Sequence, residues 1–536
     1  MSRSVAIIGA GMAGLAAARG FIHEGWNVTV YEASAGVGGV WNSCYSFATL
    51  QTPSDCYYFG DFPFPHPVDE LATAEQLVKY FKAFADQFKI TERIRFNTRV
   101  NKIVKRADGK RGWRLETSEG ITGASAFADF DFVVSAQGLY SGGPRMIKYL
   151  GTEVFERPIL HSSQLKHHLE VLESPKIAII GTGKTAADIA MYHAQNCTDP
   201  ERETHLIFRT ARWFAPYFMF GFKSPEIFAN YRITGTSSDM WGKIWRFVRT
   251  GMRKDKVLNA RELEKKVRKE KKEDEERELP ATALFAWLLG YRADDSFKPK
   301  CKVAKQCAVN MQPPRFLDYL RSGRIQAHPQ KQVTRLGPRS MHLYDLKEDG
   351  TIQDDFTIEN VDAIILATGF KQTMIVPEGM EDLVESGGVF LYRDIIHPDI
   401  QDMAFLGNSS GVVTVIATSM AVHWLLGMLT GALDLPSSAE QHKAISDDRE
   451  RTFKKCGRGR DLGAGGGGDF EYCDALCIDL GVSPLRKARK WWGGVWNPMA
   501  CLHELFGKYN PKDYLFHEIE AEVADARAMR VGGSLV

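Results

Sequence analysis

At 536 residues with 44% hydrophobic content, the chain is long enough for two to four domains with real cores, which excludes disorder of the whole. Its 68 basic and 66 acidic residues leave a formal net charge of +2, so no general attraction to nucleic acid is expected. Nine scattered cysteines, an odd number with no C-x-x-C, argue against a disulfide framework, a zinc ribbon or a redox dithiol, and no metal site is expected.

The first element in chain order is an apolar run, Val5 to Ile8, fit for a buried parallel strand. It runs into Gly9-x-Gly11-x-x-Gly14 and an Ala-rich helical stretch, the context a dinucleotide fingerprint needs. The first glycine permits the tight turn and the second lets backbone approach a pyrophosphate. The third brings helix close to strand, with the phosphates at the positive helix N-terminus. The next strand, Val28 to Tyr31, ends in Glu32, whose carboxylate suits a ribose 2′-hydroxyl and would repel a 2′-phosphate. This first site reads as FAD or NAD.

The pattern recurs. Ile177 to Ile180 leads into Gly181-x-Gly183-x-x-Ala186, with Lys184 and Thr185 opening the helix as candidates to meet phosphates. The following strand, His205 to Phe208, ends in Arg209, with Arg212 three residues on and no carboxylate between. A guanidinium there suits a 2′-phosphate, which makes the second site NADPH; the plainer alternative is a pair of surface arginines at a strand end. Two dinucleotides in one chain imply electron transfer between them.

Further strings carry a family resemblance. Gly38-Gly39-Val40-Trp41, Leu50-Gln51-Thr52-Pro53 leading to Phe59-Gly60-Asp61-Phe62-Pro63, the second fingerprint, and Ala367-Thr368-Gly369-Phe370 together resemble the flavin-containing monooxygenases over most of residues 1 to 410. The Leu-Gln-Thr-Pro string, and the late Leu502 to Phe506 with Asp513-Tyr514, are similar to a plant-type branch with N-hydroxylating members such as N-hydroxypipecolate synthase. The resemblance implies FAD at the first site and NADPH at the second. It also implies oxygenation of a nucleophilic nitrogen or sulfur of a small molecule by a flavin C4a-hydroperoxide formed with O2, N-hydroxylation favoured. On the same ground Gly39 and Trp41 should approach the flavin, Thr368 and Gly369 should sit at an interdomain crossing, and Gln51, at the position of an Asn in many animal-type members, is the candidate catalytic side chain. The family's identifying Phe-x-Gly-x-x-x-His motif departs here: Phe155 and His161 keep their spacing, but Arg157 replaces the Gly and Leu165 the expected aromatic. That departure leaves a Baeyer–Villiger oxygenase open, and an FAD/NADPH redox-sensing binding protein is the reading from another class.

The expected architecture is α/β, with two Rossmann-like dinucleotide-binding domains, the NADPH domain inserted into a discontinuous FAD domain. The spans are 1–170 for the first part of the FAD domain, 171–335 for the NADPH domain with an insertion near 214–300, and 336–536 for the rest plus a C-terminal extension. Aromatics from Trp213 to Phe222 suit either a substrate vestibule or a packed subdomain, and the mixed charges from Lys265 to Glu278 a solvated helix. Gly463 to Gly468 reads as a flexible loop, and Arg486 to Trp492 as a docked segment with peripheral membrane contact as the alternative. Gly411 to Ala432 reaches the roughly 20 residues of a bilayer span. Its Thr, Ser, Gly and His423 content and the lack of a basic flank predict a buried helix instead, with His423 a core histidine. The first strand begins by Val5, too early for a signal peptide, so a cytoplasmic location is expected.

Overall fold

The computed structural model describes residues 2–210 except 121, short strands at 214–223 and 310–311, and then 315–346, 352–408 except 386–387, 414–456, 469–482 and 511–532. Arg212, most of the 214–300 insertion with its charge run, the Gly463 to Gly468 loop, Arg486 to Trp492 and Leu502 to Phe506 lie outside the described residues.

Val5, Ala6 and Ile7 are fully buried, as strands covered on both faces must be, and they build the middle of a parallel sheet. This strand, β1 (Ser4–Ile8), feeds α1 (Met12–His23) and pairs with β2 (Asn27–Tyr31) on one side and Phe132–Ser135 on the other. Ile94–Arg95 and Met403–Phe405 complete five strands at the two edges. The second sheet repeats the plan around β3 (Lys176–Ile180), which feeds α2 (Lys184–Asn196) and pairs with β4 (Glu203–Phe208) and Ala363–Leu366. Its edges are Ile325–Pro329 and Ile159–His161, all strands parallel.

The repeat extends further than the two fingerprints. In each unit a three-stranded antiparallel meander precedes the strand that returns to the sheet: 98–130 before Phe132–Ser135, and 331–358 before Ala363–Leu366. This corrects the expected boundaries. Ile159–His161 lies in the span assigned to the first domain and Ala363–Leu366 in the span assigned to its return, yet both pair into the second sheet. The second meander belongs with them, because Leu336, Met341, Leu343 and Ile358 share a core with Ala178, Ile180 and Ile364. The second domain therefore reaches beyond 171–335 on both sides.

The Gly411 to Ala432 stretch forms α3 (Thr414–Leu429), buried along most of its length among the side chains of the first domain. At 16 residues it spans about 24 Å, short of a hydrocarbon core of about 30 Å. No helix among the described residues is long and apolar enough to cross a membrane. Close approach to α1 is possible because residue 20 is glycine: a Cβ there would lie 2.7 Å from Val422 Cγ1 and 2.8 Å from Leu426 Cδ1. His423 is buried in this core, its ring 4.4 Å from that of Phe516.

The C-terminal segment docks on the Phe59-Gly60-Asp61 string. A Cβ on Gly60 would meet Pro511 O at 2.5 Å and Tyr514 O at 2.7 Å, so only glycine lets that backbone lie down here. Asp61 holds Arg19 of α1 through both guanidinium nitrogens, and the Arg19 guanidinium is sandwiched between the rings of Phe88 and Phe516, at 4.2 and 4.3 Å. The string is thus at least partly a docking device for the chain's own C-terminal end.

One polar chain runs across two strands of the second sheet, with His205 buried at its middle. His205 Nε2 lies 3.0 Å from the Glu203 carboxylate, which can only accept, so the proton is on Nε2 and His205 Nδ1 accepts from His328 Nε2 at 2.9 Å. Burial pushes His328 down to about 4 and lowers His205 as well. A histidine whose folded pKa lies below its unfolded 6.5 contributes stability that is complete above that value and is lost as pH falls toward 4, at most about 3 kcal/mol for His328. Asp394 and Glu520, both raised by burial to about 7, act in the opposite sense, losing their contribution as pH rises through 7. The difference between wild type and His328→Asn isolates the histidine. The gap in thermal stability between them should shrink on going from pH 7 to pH 4, and a gap that stays constant would show that His328 is not held neutral by the fold.

Candidate active site

Each fingerprint is forced into shape by the strand that returns beside it. Gly9 has φ +105°, and a Cβ there would lie 2.6 Å from Ala136 O; Gly181 has φ +137°, and a Cβ would lie 2.2 Å from Ala367 O. Both first glycines are therefore fixed by backbone, before any ligand is considered. At Gly14 a Cβ would be 1.9 Å from Gly9 O, which is the close helix-to-strand packing expected of the third position, and Ala186, its counterpart, is fully buried.

The second glycines differ in kind. Gly11 and Gly183 are the N-caps of α1 and α2, and neither helix has a side-chain cap. Their first N–H groups are thus left for another acceptor, and a positive helix end favours an anionic one. A Cβ on Gly183 would meet nothing within 4 Å, and one on Gly11 only the Gly39 backbone, at 3.6 Å. Two uncapped N-termini, one opening on free space and one faced by a glycine turn, fit two pyrophosphates.

Around the first N-terminus the structure brings Gly9, Gly11, Gly14, Glu32 and Gly39 together. Glu32 is buried and already committed in part: Oε2 accepts from Ala10 N–H at 2.7 Å, and Oε1 accepts from the Ser34 N–H at 2.8 Å and hydroxyl at 2.7 Å. It thereby pins the glycine loop to the end of β2. A carboxylate has about four acceptor positions, so capacity remains for a ribose hydroxyl. Gly38 N–H donates to Ala10 O at 3.0 Å, which lays the Gly38-Gly39 turn on the same loop. Trp41 follows on one helical turn, Val40–Ser43, and its Nε1 donates to Tyr57 OH at 3.0 Å. Burial raises the Tyr57 hydroxyl, opposed by hydrogen bonds from Trp41 and from Thr414, the first residue of α3. Tyr57 and Thr414 escaped the reading of the sequence because no local pattern joins them. Gln51 is half-buried in the loop between Trp41 and Tyr57.

Around the second N-terminus the arrangement has a different chemistry. Arg209 is exposed at the end of β4, where a carboxylate stands in the first unit. With no acid to tie the loop, Thr182 does so, its hydroxyl donating to Thr210 O at 3.0 Å. Lys184 reaches forward along its own helix to Asp188, at 2.5 and 2.6 Å from the two carboxylate oxygens. Asp188 also accepts from Tyr45 OH at 3.1 Å, across the junction of the two domains. Neither Asp188 nor Tyr45 was anticipated, although the Lys184/Asp188 spacing of four is itself a helix-face signal.

Thr368 and Gly369 sit at a crossing where two connections run side by side. Thr368 Oγ1 donates to Arg145 O at 2.6 Å, Arg145 N–H to Gly369 O at 3.0 Å, and Lys371 N–H to Gly143 O at 2.8 Å. His161, fully buried, donates from Nε2 to the same Gly369 carbonyl at 2.9 Å, and Ser163 N–H donates to its Nδ1 at 3.2 Å. Burial lowers its pKa, which keeps it neutral for that pairing. The polar groups of His161 and Thr368 hold the crossing together.

Comparison with known proteins agrees with this arrangement. A family model described as flavin-binding monooxygenase-like matches residues 2–217. A probable flavin-containing monooxygenase 1 of Arabidopsis thaliana is 26% identical over 97% of this chain and 98% of its own length, and human flavin-containing monooxygenase 2 is 25% identical over 90% and 84%. Among solved structures, S-allyl-L-cysteine S-oxygenase from Allium sativum covers 98% of this chain and 99% of its own at 16% identity and a TM-score of 0.55. The OTEMO complex with FAD and NADP covers 88% and 97% at 17% identity and a TM-score of 0.63. With paired dinucleotide cradles, and likeness to flavin-containing monooxygenases along nearly its whole sequence, the chain resembles that family.

Proposed function

We propose that the protein is an NADPH- and FAD-dependent monooxygenase that oxygenates a nucleophilic nitrogen of a small molecule. The observation that carries this reading is the unlike pair of cradles: Glu32 at the end of the strand after one fingerprint, Arg209 at the end of the strand after the other. FAD is held by the first, on Gly9, Gly11, Gly14, Glu32 and Gly39 with Trp41 beside it, and NADPH by the second, on Gly181, Gly183, Lys184, Thr185 and Arg209.

Bound FAD and NADPH supply the redox chemistry, passing reducing equivalents to O2 so that one oxygen atom reaches the substrate. The chain's own groups do the rest. Backbone N–H groups at the two helix N-termini neutralise pyrophosphates, and the half-buried Trp41, Tyr57 and Thr414 contacts fix the loop that covers the first site. His161 and Thr368 hold the interdomain crossing, and with it the geometry in which the two cofactors must meet. Gln51 provides an amide that can both donate and accept beside the reacting centre.

The deciding experiment incubates purified protein with NADPH, O2 and a panel of amines, amino acids, thioethers and ketones, with products identified by mass spectrometry. N-Hydroxylated products are expected. A sulfoxide from thioethers alone would move the reading to sulfur, esters or lactones from ketones would make it a Baeyer–Villiger enzyme, and no substrate-stimulated NADPH consumption would favour a redox-sensing protein. Arg209→Gln should raise the KM for NADPH about tenfold or more, as expected when a charge-assisted contact worth about 1.5–3 kcal/mol is lost, and leave that for NADH nearly unchanged. Equal shifts for both nucleotides would remove Arg209 from the 2′-phosphate.

A further inference from the structure

The contact between the two domains converges on one buried carboxylate. Asp188, on the second turn of α2, is engaged by Lys184 through both oxygens and by the hydroxyl of Tyr45. Tyr45 is also hydrogen-bonded to Thr185. The side chains that open α2 at the second fingerprint, Lys184 and Thr185, are therefore both linked to a residue of the other domain. Tyr45 is not a loose neighbour. It is buried, its ring lies 4.4 Å from that of Phe47, and Phe47 stacks at 4.0 Å and 16° on Tyr192, two turns further along α2. Tyr45 and Ala48 share a core cluster with Ile177, Ala187 and Met191 of the second domain. In the other direction, the segment that carries Tyr45 begins at Gly39 and Trp41, against the first fingerprint.

We infer that Tyr45 and Asp188 are positioning residues that couple occupancy of the second dinucleotide site to the loop 41–48 at the first, acting through Lys184 and Thr185. The inference rests on the placement of the NADPH phosphates at Lys184 and Thr185 proposed above. A lysine ammonium has three donors, and the two contacts to Asp188 leave one for a phosphate. When a phosphate draws Lys184 away, the buried Asp188 carboxylate loses part of its compensation and holds the Tyr45 hydroxyl more firmly, because a buried charge must be paired. NADPH binding then tightens loop 41–48 onto α2. Coupling of this kind is reciprocal, so removing the Tyr45 bond must weaken NADPH binding, at most by the coupling factor.

The test uses the FAD-loaded protein with NADP+ as the probe, and reads binding rather than turnover. Tyr45→Phe removes one oxygen atom and keeps the ring packing. By calorimetry it should raise the Kd for NADP+ about fivefold or more, the lower end of allosteric coupling, with FAD content unchanged. Lys184→Met should raise it as well, and the Tyr45→Phe loss should shrink in the Lys184→Met background, since the two act along one path. Hydrogen exchange in 41–48 should slow when NADP+ is added to the wild type and not in Tyr45→Phe. If Lys184→Met leaves NADP+ affinity unchanged, the placement of the phosphates is wrong and the coupling falls with it. If Lys184→Met weakens binding but Tyr45→Phe does not, or the two losses simply multiply, the coupling alone is overturned.

Discussion

Gly14→Ala should give a colourless or nearly colourless protein. The added Cβ would stand 1.9 Å from Gly9 O, a backbone atom that cannot turn aside. Helix α1 would have to lift from β1, and the helix N-terminus proposed to receive the flavin pyrophosphate would lift with it. Overpacking in a rigid core costs typically about 1–3 kcal/mol, and all of that taken from cofactor binding is about a 5- to 150-fold loss of affinity. The ratio of flavin to protein absorbance after purification measures it. Gly183→Ala is the control that separates the two kinds of glycine. Its φ of −76° is ordinary and a Cβ there meets nothing within 4 Å, so the fold and the bound flavin should be unaffected. The methyl would instead occupy the space in front of α2, and NADP+ affinity should fall by about an order of magnitude, since a group that cannot reproduce a phosphate contact stands in its place. A Gly14→Ala protein that keeps full flavin would mean that α1 can shift without cost, and the close packing would lose its explanation.

The same contrast shows what could be read in the sequence. The strands β1 and β3 and the glycine turns after them are local patterns, four buried apolar residues followed by glycines at fixed spacing, and they stand where the sequence puts them. The reasons for those glycines are not local. Ala136 O faces Gly9, and Ala367 O faces Gly181, each across a parallel pairing far along the chain. The extent of the second domain was misjudged for the same cause: Ala363–Leu366 carries nothing in its own composition to say which sheet it joins, and its partner Ile177 to Ile180 is nearly two hundred residues earlier. A cue did exist, since the chain from 331 to 366 repeats the order of elements from 98 to 135, meander and then strand. Glu32 and Arg209 stand at the two strand ends, and a charge at a strand end has a chemical meaning by itself. Tyr45 was not legible, because its role depends on Asp188, 143 residues away.

Gln51→Ala should separate the two halves of the catalytic cycle. Its loop is anchored by bonds that do not involve its side chain: Leu50 N–H donates to Ala72 O at 3.0 Å, Ser54 N–H to Glu70 O at 2.8 Å, and the Ser54 hydroxyl to Asp69 O at 2.6 Å. Shortening residue 51 should therefore leave the loop in place and the flavin bound. Hydride transfer depends on how the two proposed cradles present their cofactors, so NADPH-driven bleaching of the flavin under anaerobic conditions should stay rapid. Oxygen transfer is the demanding half, because a preorganised hydrogen bond in a water-excluded site is where catalysis gains most. Losing one such bond costs about 3 kcal/mol, roughly a hundredfold in rate. In air the variant should consume NADPH while releasing hydrogen peroxide in place of oxygenated product. Stopped-flow absorbance and the ratio of product formed to NADPH consumed measure the two halves separately. If that ratio matches the wild type, Gln51 lies outside the reacting shell and its amide serves only the loop.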